Sequence, residues 1–246
     1  MERNIKLTVA YDGTKYHGFQ RQANALAVQQ VLEERLKGVF GHALSITASG
    51  RTDTGVHAYG QVLNFYTTGS IPTERIVSAA SGVLPEDIVV VAAEEVNKGF
   101  HARRDAKRKT YMYRIYNSRL PNPFELRYAW HVRTELDESL MNTITRQVVG
   151  THDFSAFKAA GGPPVSPIKT IFSANCSRQE KLIQFTFTGS GFLYHMVRNL
   201  VGTIVEIGSG RRGADEFARI LASHDRRKAG ATAPPQGLYL MCVEYE

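Results

Sequence analysis

The chain has 246 residues, 43% hydrophobic and 22% charged, which is globular composition and excludes a disordered or low-complexity chain. Its length suits one large domain or two small fused ones, with a core able to fold without disulfides or structural metal. Lys and Arg outnumber Asp and Glu by 30 to 23, a net charge of +7, which favours a polyanionic partner such as nucleic acid.

Residues 5–11 alternate, with Ile5, Leu7, Val9 and Tyr11 on one side, and predict a strand. A turn at Asp12-Gly13-Thr14 follows, then a helical stripe at Val28, Val31, Leu32, Leu36 and Val39. A short strand over 44–48 leads into a loop, and 61–67 is strand-like. Pro72 opens a helix that Pro85 stops, and 88–93 reads as a buried strand. The second half repeats this order: a strand over 108–116, a helix started by Asp137, strands over 169–176 and 182–188, helices over 194–207 and 214–222, and a closing strand over 238–244. The fold class is therefore α+β. Two fused β-α-β-β-α-β halves, 1–107 and 108–246, form a mainly antiparallel sheet with helices on one face. Joining the halves edge to edge would hide two strand edges. Residues 117–130 read as a loop, and 159–167, with Gly161-Gly162-Pro163-Pro164, as a flexible insertion.

Two cysteines, Cys176 and Cys242, suit a reducing compartment and are too few for a disulfide framework or a zinc site. No apolar run nears the roughly 20 residues of a membrane span, and the opening Met1-Glu2-Arg3-Asn4 lacks a signal-peptide core. The expected setting is cytoplasmic, without a membrane.

Three stretches could carry chemistry. Ser49 to Ala58 packs two charges, three hydroxyls and two glycines into a loop. The glycines permit tight turns that lift Asp53 clear of the strands. Arg51, two residues away, can hold Asp53 ionised, and an ionised carboxylate can act as nucleophile or base. The plainer alternative is a polar hairpin loop. Asp53-Thr54-Gly55 also spells the aspartic-protease triplet, which needs two carboxylates sharing a proton; one copy here would require a dimer. The second stretch, 100–114, interleaves Arg103, Arg104, Lys107, Arg108, Lys109 and Arg114 with Phe100, Tyr111 and Tyr113. Cations hold phosphates and aromatic faces stack on unpaired bases; the alternative is a solvated linker running into a strand with core tyrosines. In the third, Gly189-Ser190-Gly191 turns a strand into a helix with Arg198 near its start, where the helix terminus already favours an anion. The alternative there is a surface arginine. The eight histidines are scattered, with no metal-ligand spacing.

Together these stretches resemble the TruA-type tRNA pseudouridine synthases across essentially the whole chain. The similarity rests on Tyr11-Asp12-Gly13-Thr14, Gly18-Phe19-Gln20, Gly50-Arg51-Thr52-Asp53-Thr54-Gly55-Val56-His57-Ala58, Phe100-His101-Ala102-Arg103, Tyr111-Met112-Tyr113, His152-Asp153-Phe154, Phe192-Leu193 with Met196-Val197-Arg198-Asn199, and Ala233-Pro234 with Gly237-Leu238. Ala27 stands where a threonine is usual, and Lys169 where an arginine is usual. The resemblance implies conversion of uridine to pseudouridine at positions 38 to 40 of the tRNA anticodon stem-loop. It implies two halves with a cleft between them, a homodimer sharing tRNA, and no cofactor or metal. It makes Asp53 the catalytic carboxylate, Tyr111 the residue that stacks on the flipped base, and Arg198 the partner that orients Asp53. Arg51 and Arg103 become substrate contacts. A non-catalytic RNA-binding module is the rival from another class.

Overall fold

The alternation at the start of the chain forms the first strand of a computed structural model that describes residues 2–162 and 164–246. Met1 and Pro163, the latter inside the expected insertion, lie outside the described residues. The chain folds as two compact units: residues 1–107 with Tyr239–Glu246, and Arg108–Leu238.

In the first unit, β1 (Arg3–Tyr11) buries Ile5, Leu7 and Val9 completely. Helix α1 (Val28–Phe40) turns Val28, Val31, Leu32, Leu36 and Phe40 inward. Its cap residue Ala27 supplies no side-chain hydrogen bond. The orphan amides of Val28 and Gln29 instead donate to the carbonyls of Gly18 and Phe19 at 3.3 and 2.9 Å. The missing threonine cap is thus replaced by backbone. Next come β2 (Thr47–Ala48), β3 (His57–Thr67), α2 (Thr73–Ser81) and β4 (Ile88–Val96). Strand β1 lies between β4 and β3 and is antiparallel to both.

In the second unit, β5 (Arg108–Asn117) pairs antiparallel with β9 (Leu182–Gly189), β9 with β8 (Ile168–Gln179), and β8 with β7 (Gly150–Asp153). The three-residue β6 (Trp130–Val132) adds parallel to β5. Helices α3 (Glu138–Arg146), α4 (Met196–Gly208) and α5 (Glu216–Ser223) complete the unit. Asp137 caps α3, its carboxylate accepting from the Leu140 amide at 2.9 Å. Helix α4 is apolar nearly all round, with Leu200, Val201, Ile204 and Val205 fully buried, as a core helix must be.

The class is α+β with mainly antiparallel pairing, as expected. The second half ends on a strand, as expected. Its final strand, β10 (Leu238–Glu244), pairs parallel with β3 of the first unit, Tyr239 opposite His57 and Leu240 opposite Ala58. Tyr239 also stacks on the His57 ring at 4.8 Å. The short β6 and β7 were not expected from the sequence. Among the described residues, no helix is long and apolar enough to cross a membrane. Cys176 and Cys242 are free thiols.

Candidate active site

Asp53 sits on the loop joining β2 to β3. These strands pair antiparallel, Thr47 with Asn64 and Ala48 with Leu63, so the loop is the end of a hairpin. Its backbone is tied down on both sides of the aspartate. The Phe19 amide donates to the Thr52 carbonyl at 3.1 Å, and the Gly55 amide to the Tyr16 carbonyl at 3.2 Å. The Val56 amide closes the turn on the Asp53 carbonyl at 3.1 Å. Gly55 has φ 75°, a left-handed conformation that costs glycine little and other residues more. Thr52 and Val56 are buried and Asp53 is half-buried. The sequence therefore aims one carboxylate from a fixed backbone.

Neighbouring groups brace the loop base. His57 Nδ1 lies 3.1 Å from both the Gly13 amide and Asp12 Oδ1. Asp12 also accepts from the Thr14 amide at 2.9 Å. Tyr16 donates to Asp87 at 2.6 Å; burial first, and the Asp87 carboxylate second, hold its hydroxyl above the usual tyrosine range.

Arg51 is exposed and engages none of the described residues by hydrogen bond or ion pair. The expected support of Asp53 by Arg51 is not formed; the guanidinium is open to an incoming anion. Arg103 and Arg104, also exposed, project from a tight turn. Their amides donate to His101 Nδ1 at 3.2 and 3.3 Å, and Asp105 accepts from the His101 amide at 2.8 Å. Ala102 is fully buried, its amide on Asn64 Oδ1 and its carbonyl on the Tyr245 hydroxyl. The turn is anchored at its base and charged at its tip.

In the second unit, β5 carries Tyr111 and Tyr113 opposite Phe187 and Phe185 of β9. Tyr113 is fully buried, and its hydroxyl donates to the Pro234 carbonyl at 2.7 Å. Burial drives its pKa well above the usual value, partly offset by the positive charge of Arg198. It is a core tyrosine. Tyr111 retains 9% of its surface, and its ring meets Phe192 edge-on at 5.0 Å, so its orientation is set by packing.

Arg198 lies in the first turn of α4 and is half-buried. Its Nε donates to the Ala233 carbonyl at 2.7 Å, and the Ala233 amide donates back to the Arg198 carbonyl at 3.1 Å. This reciprocal pair fixes the side-chain stem. The segment it grips is held by residues to which the sequence assigned no role. Arg226 donates to Asn199 Oδ1, Thr232 Oγ1 and the Gly230 carbonyl, each at 3.0 Å. Thr203 accepts from the Gly230 amide at 2.9 Å. Asn199 and Thr203, fully buried on an otherwise apolar helix, were the available signal: a buried polar group needs a built partner.

The structure thus places Arg51, Asp53 and Arg103 in the first unit, and Tyr111 and Arg198 in the second. Among the described residues, no group of three or more His, Cys, Asp or Glu is arranged to hold a metal ion.

Comparison with known proteins bears on this arrangement. The family model described as tRNA pseudouridine synthase matches residues 7–105 and 144–246. The chain is 45% identical to tRNA pseudouridine synthase A of Acetivibrio thermocellus over 243 residues, 99% of this chain and all of that one. It is 47% identical to the protein of that name from Thermoanaerobacter sp., again over 99% of this chain and all of the relative. For the Geobacillus sp. protein of that name the figure is 42% over the full length of both. Among solved structures, a Cbf5-Nop10-Gar1 complex aligns with 82% of this chain and 44% of its own at 10% identity and a TM-score of 0.37, too slight a likeness to bear on fold or function.

Proposed function

Because the chain belongs to the tRNA pseudouridine synthase family, and so isomerises uridine to pseudouridine in tRNA, we propose that its targets are positions 38 to 40 of the anticodon stem-loop. The feature that carries the catalytic reading is the Asp53 loop, a single carboxylate on a backbone hydrogen-bonded on both sides. A binding module needs no such loop. A protease reading of Asp53-Thr54-Gly55 gives way to family membership.

The reaction breaks the N1–C1′ glycosidic bond, turns the uracil, and joins C5 to C1′. The C5 proton leaves and N1 gains one, so atoms and electrons balance without a redox partner. Asp53 is the reacting carboxylate. It can attack C1′, attack C6, or take a ribose proton, and all three need an ionised oxygen at a fixed place. The target base must leave the stack to be reached. In this reading Tyr111 stacks on the flipped base and assists removal of the C5 proton, and Arg198 pairs with Asp53 and orients it. The bound stem-loop covers the reacting groups. Exclusion of water there strengthens the ion pair. Arg51 and Arg103 hold phosphates. A homodimer sharing tRNA, a cytoplasmic setting and independence of any cofactor belong to the same proposal.

Release of tritium from C5-labelled uridine tests the whole reading. Transcripts carrying uridine at only one of positions 38, 39 or 40 should each release label. Transcripts lacking all three should release none. Label released only from uridines elsewhere in the tRNA would refute the positional assignment.

Two further outcomes are expected. Tyr111→Phe keeps the stacking face and the contact with Phe192 but loses the hydroxyl, so the chemical step slows while tRNA affinity holds. Tyr111→Ala loses stacking as well, worth about 1–3 kcal/mol per base, and should be the slower variant. A parental rate for Tyr111→Phe would remove the hydroxyl from proton transfer. Neutralising Arg103 and Arg104 to Gln should weaken all tRNAs alike and flatten the plot of log affinity against log salt by about 1.5–2 units, if each meets one phosphate. An unchanged slope would remove both residues from the phosphate contacts.

A further inference from the structure

Strand β3 buries a glutamine where a leucine or methionine would fill the space. Gln61 is 0% exposed, opposite Val9 of β1. Its amide is turned toward the Asp53 loop. Nε2 donates to the Gly50 carbonyl at 3.0 Å, and Oε1 accepts from the Ser49 hydroxyl at 2.7 Å. The buried Tyr11 hydroxyl lies 2.8 Å from Thr52 Oγ1. Positions 49 and 50 are therefore held from beneath by Gln61 and position 52 by Tyr11, both buried, and Asp53 is the next residue. A buried amide without partners is costly, and a fully matched polar network selects one geometry. Packing alone does not call for these groups. The loop they hold does.

We propose that Gln61 and Tyr11 are positioning residues for catalysis, setting the direction of the Asp53 carboxylate through the backbone of residues 49–52. The inference rests on Asp53 being the reacting carboxylate. It assigns to two buried residues, neither of which touches substrate, a share of the rate rather than of the binding.

The test uses the full chain, tRNA at saturation, and three readouts: single-turnover rate, tRNA affinity, and hydrogen exchange of the Phe19 amide, which is bonded to the Thr52 carbonyl. Gln61→Leu keeps the volume and should slow the chemical step by about tenfold or more with affinity within about threefold. Exchange at Phe19 should quicken by about tenfold. Tyr11→Phe and Thr52→Val remove the two ends of one bond, so the double variant should be no slower than the slower single one. Gln61→Glu keeps the acceptor for Ser49 but at neutral pH loses the donor for Gly50. Its rate relative to the parent should recover as pH falls and the carboxyl takes up a proton, which a space-filling role does not produce. If Gln61→Leu does not fold, Tyr11→Phe, the loss of a single oxygen, carries the test. Variants that keep more than half the parental rate, or that lose rate only in proportion to affinity, would overturn the proposal. A parent chain that releases no tritium would instead overturn the functional reading, and the exchange of Phe19 would still report whether the loop is held as described.

Discussion

Replacement of Asp53 by Asn is expected to abolish pseudouridine formation while tRNA affinity stays within a few-fold. The amide has nearly the carboxylate's size. The Asp53 carbonyl still accepts from Val56, and the flanking bonds at Thr52 and Gly55 are backbone to backbone, so the loop keeps its path. What is lost is the negative oxygen, which any of the three routes through Asp53 requires. The rate should fall below about a thousandth of the parent's, or roughly 4 kcal/mol or more of barrier. Tritium release measures the rate, filter binding the affinity, and circular dichroism establishes that the variant is folded. A folded Asp53→Asn chain with turnover well above that level would remove Asp53 from the chemistry.

Gly202→Ala is the substitution expected to cost most stability. On α4, a Cβ at Gly202 would lie 1.8 Å from the Ala231 carbonyl oxygen, 3.0 Å from its carbon and 3.3 Å from the Ala233 nitrogen. All three are backbone atoms and cannot rotate away. The 230–233 segment would have to lift off the helix. Its bonds from Gly230 to Thr203, from Thr232 to Asn199 and between Ala233 and Arg198 would go with it. Overpacking costs about 1–3 kcal/mol, and each hydrogen bond about 0.5–1.5. Against these stands the better helix propensity of Ala, about 1 kcal/mol. The balance is a loss of about 2–6 kcal/mol, read by urea or thermal unfolding. Gly38→Ala is the matched control. It lies on the exposed side of α1 with nothing within 4 Å of its Cβ, and it should be neutral or stabilising. Equal stability of Gly202→Ala and the parent would mean that the segment does not lie against α4. Below the melting temperature, activity should also fall, because Arg198 loses its grip on Ala233.

The sequence made most strands visible because a half-buried strand writes its pleat as alternation, as Ile5, Leu7 and Val9 do. Three-residue β6 and four-residue β7 are too short to write a period, and their existence depends on neighbours far along the chain. The same holds for β10, whose apolar run was evident while its partner was not: local pattern states that a strand exists, not which edge it meets. At the site, Asp53 stood out because a carboxylate, hydroxyls and glycines crowded an element with no core role. Gln61 did not, being one of several polar residues that β3 buries beside His57, Asn64 and Thr67, and its meaning lies in Ser49 and Gly50. The roles of Asn199 and Thr203 were hidden in the same way within α4, since Arg226 and Thr232 reach Asn199, and the Gly230 amide reaches Thr203, only in the folded unit.

The parallel pairing of β10 with β3 has a consequence for the order of assembly. The ribosome makes β3 early and β10 only after the whole of Arg108–Leu238 has been made. Until then one side of β3 next to the Asp53 loop stands open, with unmatched amides and carbonyls that invite wrong partners. The nascent first unit is thus a sheet awaiting its last member, and the second unit has the time of its own synthesis to fold first. This contact is among the most distant in the sequence, so its closure is expected to be a late and slow event in refolding. The strand that completes His57 and Ala58, at the foot of the aspartate loop, is also the last to arrive. The foot of the aspartate loop is therefore complete only once the last strand has been made.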